Sequence, residues 1–265
     1  MSTIGKALTL LDTVATLERE AGLSEIARAS QLDKATARRF LVELERHGFL
    51  EQDAETRKYR IGSAPVRLAQ IREARLPLLK EAIPLLRLLA ARTGETVHMS
   101  QFSAGRLSTV HSEESPRANR VIVKVGTWLP LHASASGLAF LSASPDVLIE
   151  AALAQPLERF TPHTITDPTE LRAVLRETAE RGYSIGRQGL EGGMTSVAAP
   201  ILSTGRPPIG SVAIAAPMVR ADDAAVAEFG AAARETAQAL SEILFPRSTQ
   251  QATRASRTGT ASLRG

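Results

Sequence analysis

Apolar residues near the start of the chain recur with the period of an amphipathic helix. The predicted stripe within IGKALTLLDTVATL consists of Ile4, Leu8, Leu11, Ala15 and the adjacent Val14. We expect this stripe to be the buried face of a first helix. A short second helix is predicted over EIARA, with Ser24 as its N-cap and Ile26 pointing inward. The turn SQLD follows it, with Leu32 as the buried anchor.

A third helix is predicted from Asp33, a good N-cap residue. Its apolar positions follow the i, i+3, i+4, i+7 pattern and are Ala37, Phe40, Leu41 and Leu44. This stripe is expected to pack on the first two helices and to leave the basic side chains outside. Gly48 ends the helix, and the extended runs FLEQD and RKYRIG then predict a β-hairpin. Three helices and a hairpin predict a winged helix-turn-helix over residues 1–62, which places a helix in the DNA major groove.

A linker helix is predicted over residues 63–76, and a further helix follows the joint at Pro77. Apolar positions recur here at alternating spacings of three and four, at Leu76, Leu79, Ile83, Leu86 and Ala90. Additional leucines widen the stripe beyond what a single packing surface requires. We therefore expect dimerisation along these helices.

Residues 77–245 predict an α+β domain. Strands are expected in ETVHMSQF, RLSTVHS, NRVIVKVG, MTSVAAPIL and GSVAIAAPM. Helices are expected in HASASGLAFLSA, DVLIEAALA, DPTELRAVLRETAERG and DDAAVAEFGAAARETAQALSEILF. The third of these has Asp167 as N-cap, Pro168 at its first position and Gly182 as its stop. Strands grouped around helices in this order favour an antiparallel sheet.

The charge distribution is more informative than the isoelectric point of about 9.8. Residues 246–265 contain no acid and four arginines, Arg247, Arg254, Arg257 and Arg264, which equal the whole formal net charge of +4. Residues 1–62 contain ten basic and ten acidic residues, so a DNA-binding surface there must come from local arrangement. The tail is expected to be a disordered basic segment, because it has almost nothing apolar to bury.

Several classes of protein are excluded by composition. The chain has no cysteine, which rules out disulfides, thiol catalysis and cysteine-based zinc sites. His98, His111 and His163 lack metal-ligand spacing. No apolar run approaches the ~18 to 20 residues of a membrane span, and the N-terminus lacks the pattern of a secretory signal. We expect a cytoplasmic protein without a cofactor, a metal or a membrane partner.

The segment DKATARRF supplies the residue types that a helix in the major groove needs. Lys34 can reach a base or a phosphate, Ala35 allows close approach to a thymine methyl, and Thr36 can bind a phosphate. Arg38 can fork onto a guanine edge, and Arg39 can grip a phosphate. We predict that these five residues contact DNA.

Arg57 and Lys58 lie at the tip of the predicted hairpin and can touch the neighbouring DNA backbone. The alternative is a solvated helix of mixed charge, because Glu43 and Glu45 follow the basic residues. The predicted helices, turn and hairpin are all parts of one DNA-binding architecture, and this agreement favours DNA binding.

The sequence resembles the IclR-type bacterial transcriptional regulators in four blocks that occur in the family's order. These are GLSEIARASQLDKATARRFLVELERHGFLEQD, LPLHASASGLAFL, RGYSIGRQGLEGGMTSVAAPI and IGSVAIAAP. The resemblance covers about residues 4–245. It implies a homodimer or tetramer on a double-stranded DNA operator, with a GAF-like C-terminal domain that binds a small organic effector. A repressor is the default that the family implies.

The resemblance also implies candidate effector-binding residues. Ala135 and Ser136 match the family's loop beside the ligand carboxylate. Ser196 stands where a cysteine is common, and Ala213 and Ala215 stand where some members have hydroxyl residues. Loss of those two hydroxyls makes the wall apolar, which favours a larger or aromatic acid over a small keto acid.

Four further residues complete the expected effector site. Arg187 lies in GRQ, which replaces an acidic run common in relatives, and it could pair with an effector carboxylate. An exposed arginine at a strand end is an equal alternative. Trp128 is either a core residue or a pocket wall. Leu129 and His132 belong to the LPLHASASG block beside it.

Two other functions stay open as alternatives. His132 with Ser134 and Ser136 could suggest a serine nucleophile, but the spacing is not that of a Gly-x-Ser-x-Gly elbow. The segment GLEGGM has no following Lys-Ser/Thr and is no phosphate loop. We predict that the chain is not an enzyme. The alternatives are an enzyme acting on a small acid or ester through the C-terminal domain, and an architectural DNA binder that needs no ligand.

Overall fold

The structure is a computed structural model that describes residues 1–75 and 77–246. Contacts divide the chain into a first unit that ends at Pro77 and a second that begins at Leu78. Leu76 and residues 247–265 lie outside the described residues. The expected disordered basic tail, apart from Pro246, falls in that undescribed part.

The first unit contains four helices and a two-stranded sheet. The elements are α1 (Thr3–Thr16), α2 (Leu23–Ala29), α3 (Lys34–Arg46), β1 (Leu50–Gln52), β2 (Tyr59–Ile61) and α4 (Ala64–Arg75). The two strands pair antiparallel. Their shared core consists of Leu10, Val14, Ala21, Ile26, Ala27, Ala37, Phe40, Leu41, Leu50 and Tyr59. The predicted winged helix-turn-helix is confirmed.

The buried face of α1 differs from the predicted one. Of the predicted stripe, Val14 is buried and Leu11 is half-buried, as expected, whereas Ile4, Leu8 and Ala15 are exposed. The side of the helix that packs in the core also contains Leu10, which lies outside the predicted stripe. Periodicity detects an apolar side of a helix but does not fix its centre.

The start of α2 is also earlier than predicted. The helix begins at Leu23, and Gly22 occupies the N-cap position with extended backbone angles. The prediction that Ser24 caps this helix is therefore wrong, because Ser24 lies within its first turn.

The second unit is built on one sheet of six antiparallel strands, in the order β5-β4-β3-β8-β7-β6. Its helices are α5 (Leu78–Thr93), α6 (Ala135–Ser142), α7 (Asp146–Leu153), α8 (Pro168–Arg181) and α9 (Asp223–Leu244). Its strands are β3 (Thr96–Ser103), β4 (Arg106–Glu113), β5 (Trp128–Leu129), β6 (Ser184–Arg187), β7 (Met194–Ser203) and β8 (Arg206–Pro217). The α+β, GAF-like prediction is confirmed.

The two faces of this sheet differ in chemistry because side chains alternate along a strand. One face presents Val97, Met99, Val197, Val212 and Ile214 to α5 and α9, and this is the main core. The opposite face presents small and polar residues, including His98, Ser196, Ala198 and Ala213. Helix α6 packs on that second face.

Two expectations for the second unit are corrected. The run NRVIVKVG, residues 119–126, forms no strand; Thr96 Oγ1 instead donates a hydrogen bond to the Val121 carbonyl (2.6 Å). On α5, the fully buried positions are Leu78, Ala82, Leu86 and Leu89. Leu79 and Ile83, which belong to the predicted apolar stripe, are half-buried.

Candidate functional site

The exposed face of α3 is fixed by its cap and by its buried side. The Asp33 carboxylate accepts a hydrogen bond from the Thr36 backbone N–H (2.8 Å). Hydrogen bonding by the Thr36 side chain, and then by this N–H, lowers the pKa of Asp33. Gln31, in the turn before the helix, adopts the left-handed region with φ 56°. Because Phe40 and Leu41 are buried, the remaining face of the helix points to solvent.

The predicted DNA-contacting residues of α3 lie on that face. Lys34, Ala35, Arg38 and Arg39 are exposed, and Thr36 is half-buried. The three cations form no ion pair with an acidic side chain among the residues that the structure describes. By contrast, Arg46 in the last turn of the same helix pairs with Glu43 at 3.1 Å. An exposed helix end with unpaired cations is suited to binding a polyanion such as DNA.

The hairpin between β1 and β2 brings a second basic group close to α3. Its turn is tied by the Asp53 carboxylate, which accepts hydrogen bonds from the Thr56 N–H (2.7 Å) and hydroxyl (2.8 Å). Burial raises the pKa of Tyr59, and the charges of Arg57 and Arg38 oppose that rise. The charge of Glu45 also raises the pKa of Tyr59, so one acidic side chain and both arginines act on the same phenol.

Lys58 follows Arg57 at the same turn and is half-buried. Neither residue forms an ion pair with an acidic side chain within the described part of the chain. The hairpin thus adds two cations to the surface formed by α3.

A cavity of about 230 Å³ lies in the second unit. It is enclosed by the strap, which we define as residues 114–127, by the N-terminal end of α6, and by β3, β6, β7 and the loop after β6. Its lining residues are His98, Val121, Ile122, Val123, Lys124, Thr127, Leu129, Ala133, Ser134, Ala135, Ser136, Gly186, Gln188, Gly189, Leu190, Glu191, Met194 and Ser196. The volume is below the roughly 300–1,000 Å³ of drug-sized pockets, so the cavity suits a small organic molecule.

The N-terminal end of α6 is held rigidly at this cavity. The Ser134 hydroxyl donates to the Pro130 carbonyl (2.7 Å) and accepts from the Gly137 N–H (3.0 Å). A Cβ at position 137 would lie 2.5 Å from the Leu131 backbone, so only glycine allows this approach. Ala135 packs in a cluster of alanines against the sheet. The first N–H groups of a helix lack intrahelical acceptors and carry the positive end of its dipole.

Three buried polar side chains face the same cavity. His98 Nε2 lies 3.2 Å from the Ser136 hydroxyl. His98 Nδ1 and the Ser196 hydroxyl have no hydrogen-bond partner among the described residues. Burial lowers the pKa of His98 to about 4, so its ring is neutral near pH 7. The cavity therefore combines apolar walls with the uncharged polar groups of His98, Ser136 and Ser196, and its lining also includes Lys124 and Glu191.

The strap is anchored by a buried carboxylate. Glu95 is 1 % exposed and accepts hydrogen bonds from Arg220 (2.6 and 2.8 Å) and from Arg117 of the strap (2.8 Å). Arg220 also donates to the Asn119 carbonyl (2.8 Å). These bonds tie the strap that covers the cavity to the body of the domain.

The predicted effector residues separate into two groups. Those that line the cavity are Leu129, Ala135, Ser136 and Ser196. Ala213 and Ala215 are not among the lining residues; both are fully buried in β8, and Ala213 packs under α6. Their small size allows the helix to approach the sheet.

The remaining three predicted residues are also absent from the cavity lining. Trp128 is 48 % exposed, with the Arg106 guanidinium 5.2 Å from its ring centre. His132 and Arg187 border a separate open groove of about 750 Å³. The Arg187 guanidinium donates a hydrogen bond to the Asp223 carboxylate (2.6 Å).

His98 is the principal residue that sequence reasoning missed. At the sequence level, His98 was noted only for its lack of metal-ligand spacing, yet the polar residues Thr96, His98 and Ser100 alternate with Val97 and Met99. That alternation on a buried strand indicates a polar inner face and could have identified it. No local sequence signal indicated that Gln188, Met194 or the strap residues would line the cavity.

Two other kinds of feature are absent from the part of the chain that the structure describes. No helix in residues 1–75 or 77–246 is long and apolar enough to cross a membrane. The same residues contain no cluster of histidine and acidic side chains that could hold a metal ion.

Comparison with known proteins gives matches over nearly the whole chain. Residues 3–54 match the family model described as the IclR helix-turn-helix domain. Residues 73–242 match the model described as bacterial transcriptional regulator IclR C-terminal.

Individual relatives agree with these models. The transcriptional repressor IclR of Escherichia coli strain K12 is 29 % identical over 87 % of this chain and 85 % of its own. A putative IclR regulator from Silicibacter sp. TM1040 is 36 % identical, with a TM-score of 0.81 over 93 % of this chain and 98 % of its own. An IclR homolog from Microbacterium hydrocarbonoxydans, solved with 4-hydroxybenzoate, is 27 % identical, with a TM-score of 0.78 over 92 % and 99 %.

Proposed function

The chain belongs to the IclR family of bacterial transcriptional regulators, and on that premise we propose that α3 reads an operator while the cavity under the strap binds the effector. The protein is a DNA-binding regulator controlled by a small molecule. The observation that carries the proposal is the unpaired, exposed position of Lys34, Arg38 and Arg39 on one helix face.

We assign the contacts on the DNA side by reach and chemistry. Arg38, in the middle of the exposed face, forks onto a guanine edge in the major groove. Lys34, Thr36 and Arg39 bind the phosphates beside it, and Ala35 allows the helix to approach the bases. The hairpin cations Arg57 and Lys58 hold the adjacent backbone. The DNA-binding domain comprises residues 1–62.

The effector is a small organic acid. Apolar walls and the N-terminal end of α6 suit a compact molecule with one carboxylate. The 4-hydroxybenzoate held by the Microbacterium homolog is an acid of this kind, and an aromatic acid fits the apolar residues around this cavity. Leu129, Ala135, Ser136 and Ser196 contact it. The effector and oligomerisation domain comprises residues 77–245, joined to the first by the linker at 63–76.

The regulatory mechanism is thermodynamic linkage. The chain acts in the cytoplasm as a homodimer or tetramer, and effector binding favours one spacing of the recognition helices. Operator affinity then changes by no more than the effector's differential affinity for the two arrangements. By default the regulator represses transcription, like the E. coli relative described as a repressor.

Two alternatives are distinguished by simple measurements. An enzyme would turn over small acids or esters; we expect none. The His132 ring nitrogen contacts the Glu158 carbonyl (2.9 Å) rather than a serine, and the His98 ring that contacts Ser136 has no carboxylate partner at its Nδ1 atom among the described residues. An architectural DNA binder would show no thermal stabilisation by any small acid, whereas a ligand at 100 times its Kd stabilises by about 2.7 kcal/mol.

One experiment tests both halves of the proposal. Genomic DNA fragments retained by the purified full-length protein are sequenced, with and without a panel of small carboxylic acids. We expect a shared palindromic sequence that is lost or gained when the effector is present. Retention of fragments without any common sequence would contradict the proposal.

The phosphate contact of Arg39 gives a separate prediction. Arg39→Ala is expected to weaken binding to all DNA sequences alike, because a phosphate contact carries no base information. The slope of log K against log salt should fall by about 0.9. Titrations at several salt concentrations on operator and random DNA measure both effects. An unchanged slope, or a loss confined to the operator, would show that Arg39 does not bind a phosphate.

A further inference from the structure

Val42 is an apolar residue on the exposed side of α3. It is 48 % exposed, and its side chain is not among those that pack on the core of the first unit. Valine forms helices less readily than alanine, so an exposed valine contributes little to the stability of α3 itself. A single exposed apolar residue is common on protein surfaces, and the surroundings of Val42 therefore decide whether it has a role.

Helical geometry places Val42 between the two arginines that the proposed function directs at DNA. Successive residues of an α-helix are related by a rotation of about 100° and a rise of about 1.5 Å. Around the axis, Val42 therefore lies about 40° from Arg38 and about 60° from Arg39, within the roughly 100° that separates the two arginines. Along the axis it lies about one turn further toward the C-terminus. All three residues thus share the side of the helix that points away from its buried residues.

The charged groups around Val42 leave one apolar position in a cationic surface. Arg38 and Arg39 are exposed and form no ion pair with an acidic side chain within the described residues. The next turn of the helix carries instead the ion pair between Glu43 and Arg46 at 3.1 Å. Val42 is hence the last member of the DNA-facing side before that ion-paired end.

The group in the major groove that matches an apolar side chain is the methyl group of thymine. The other groups on the base edges are hydrogen-bond donors and acceptors. The groove admits an α-helix, so residues on the groove-facing side can reach base edges. Burial of one methyl group against a valine corresponds to about a fourfold gain in affinity. A polar base edge against the same valine loses its hydrogen bonds to water and gains none.

We propose that Val42 is a specificity-determining residue, which selects a thymine by contact between its side chain and the C5 methyl group of that base. Arg38 reads a guanine on one side of it, and Arg39 holds a phosphate on the other. This inference rests on the proposed function of α3 as the helix that reads the operator. It adds a requirement for a T·A base pair beside the guanine that Arg38 contacts.

The probe for this contact is a DNA duplex that the full-length protein selects from a pool of random sequences. Each thymine of the selected duplex is replaced in turn by deoxyuridine, which pairs with adenine in the same way and lacks only the C5 methyl group. Fluorescence anisotropy measures the affinity for each duplex. For the wild type we expect at least one base pair at which uracil weakens binding about fourfold.

Three variants identify the side chain that contacts this methyl group. Val42→Ala should bind the thymine duplex about fourfold or more weakly than the wild type does. At one sensitive base pair it should bind the thymine and uracil duplexes with affinities within about 1.5-fold, because the methyl group has lost its partner. Val42→Ile keeps an apolar side chain and should retain the preference for thymine.

Val66→Ala is the matched control for Val42→Ala. Val66 is also an exposed valine on a helix of the first unit, with 57 % exposure on α4. Its removal should leave the uracil penalty unchanged at every base pair. Melting temperature and affinity for random-sequence DNA verify that each variant is folded and keeps its phosphate contacts.

A second selection tests the same contact without modified bases. Repeated with Val42→Ala, it should return a sequence in which the guanine preference is kept and one thymine preference is lost. Retention of every thymine preference would overturn the role of Val42.

The remaining outcomes separate this inference from the proposed function. Absence of any uracil penalty in the wild type, or penalties that all persist in Val42→Ala, overturns the role of Val42. The role of α3 in reading DNA is then judged separately, by the base preference that Arg38→Ala loses. If the wild type selects no common sequence, the proposed function fails and this inference fails with it.

Discussion

Replacing Arg38 with alanine is expected to weaken operator binding by about 1–3 kcal/mol, roughly 5- to 150-fold, and to relax the preference at one or two base pairs. The guanidinium is exposed in the middle of the face of α3 and has no acidic partner in the part of the chain that the structure describes. It is therefore free to make a bidentate contact with a guanine. Fluorescence anisotropy on the operator and its single-base-pair variants measures both effects.

Arg46→Ala is the matched control for Arg38→Ala. Arg46 lies on the same helix and is exposed, but it is at the far end and is paired with Glu43. We expect its removal to change operator affinity little. Equal losses in both variants would indicate a general charge effect, and parental affinity in Arg38→Ala would exclude Arg38 from the interface.

Replacing Arg220 with alanine is expected to lower the free energy of unfolding of the second unit by about 3 kcal/mol. Removing one partner of a buried ion pair leaves the other charge uncompensated, at a cost of roughly 3–5 kcal/mol. Arg117 remains beside Glu95 and limits the loss. Because Arg220 also holds the Asn119 carbonyl, effector affinity should fall too. Urea unfolding and calorimetric titration measure the two quantities.

Arg120→Ala controls for the loss of an arginine near the strap. Arg120 and Glu114 form an ion pair at 3.0 Å with 35 % and 51 % of their side chains exposed. Such exposed pairs contribute about 0–1 kcal/mol, so stability and effector affinity should change little. If Arg220→Ala were as mild as Arg120→Ala, Glu95 would not be the anchor of the strap.

The DNA-binding unit was largely predictable because its signals are local. Asp33 caps α3 as its residue type suggests, and the spacing of Ala37, Phe40 and Leu41 defines the buried side. These features depend on residues within a few positions of one another, and the unpaired cations follow once the buried side is known. The inner face of α1 was not fully predictable, because periodicity does not fix which residues of its apolar side meet α2 and α3.

The second unit was predictable in its elements but less so in its site. Val121, Ile122 and Val123 have the composition of a strand, yet the segment forms no ladder, and a side chain 25 residues away, Thr96, holds it. Composition does not reveal such a partner. Arg187 was weighed as a ligand contact because GRQ replaces an acidic run common in relatives. Its ion pair with Asp223, 36 residues away, has no local sequence signal.

The family resemblance identified residues that line the cavity, but it did not identify all of the polar groups there. Ala135 and Ser136, which the resemblance implied lie beside the effector, line the cavity. His98, which also lines the cavity, lies on β3 opposite Ala213 of β8, and the resemblance did not indicate it.

The most direct test of the account is cross-linking from the face of α3 to DNA. A photoreactive amino acid is placed at position 38 and, as a control, at position 234 of α9, an exposed arginine of the second unit. After illumination on the operator, we expect position 38 to react with a base in the major groove and position 234 to give no adduct. Absence of an adduct at position 38, while the operator is bound, would contradict the claim that this helix reads DNA.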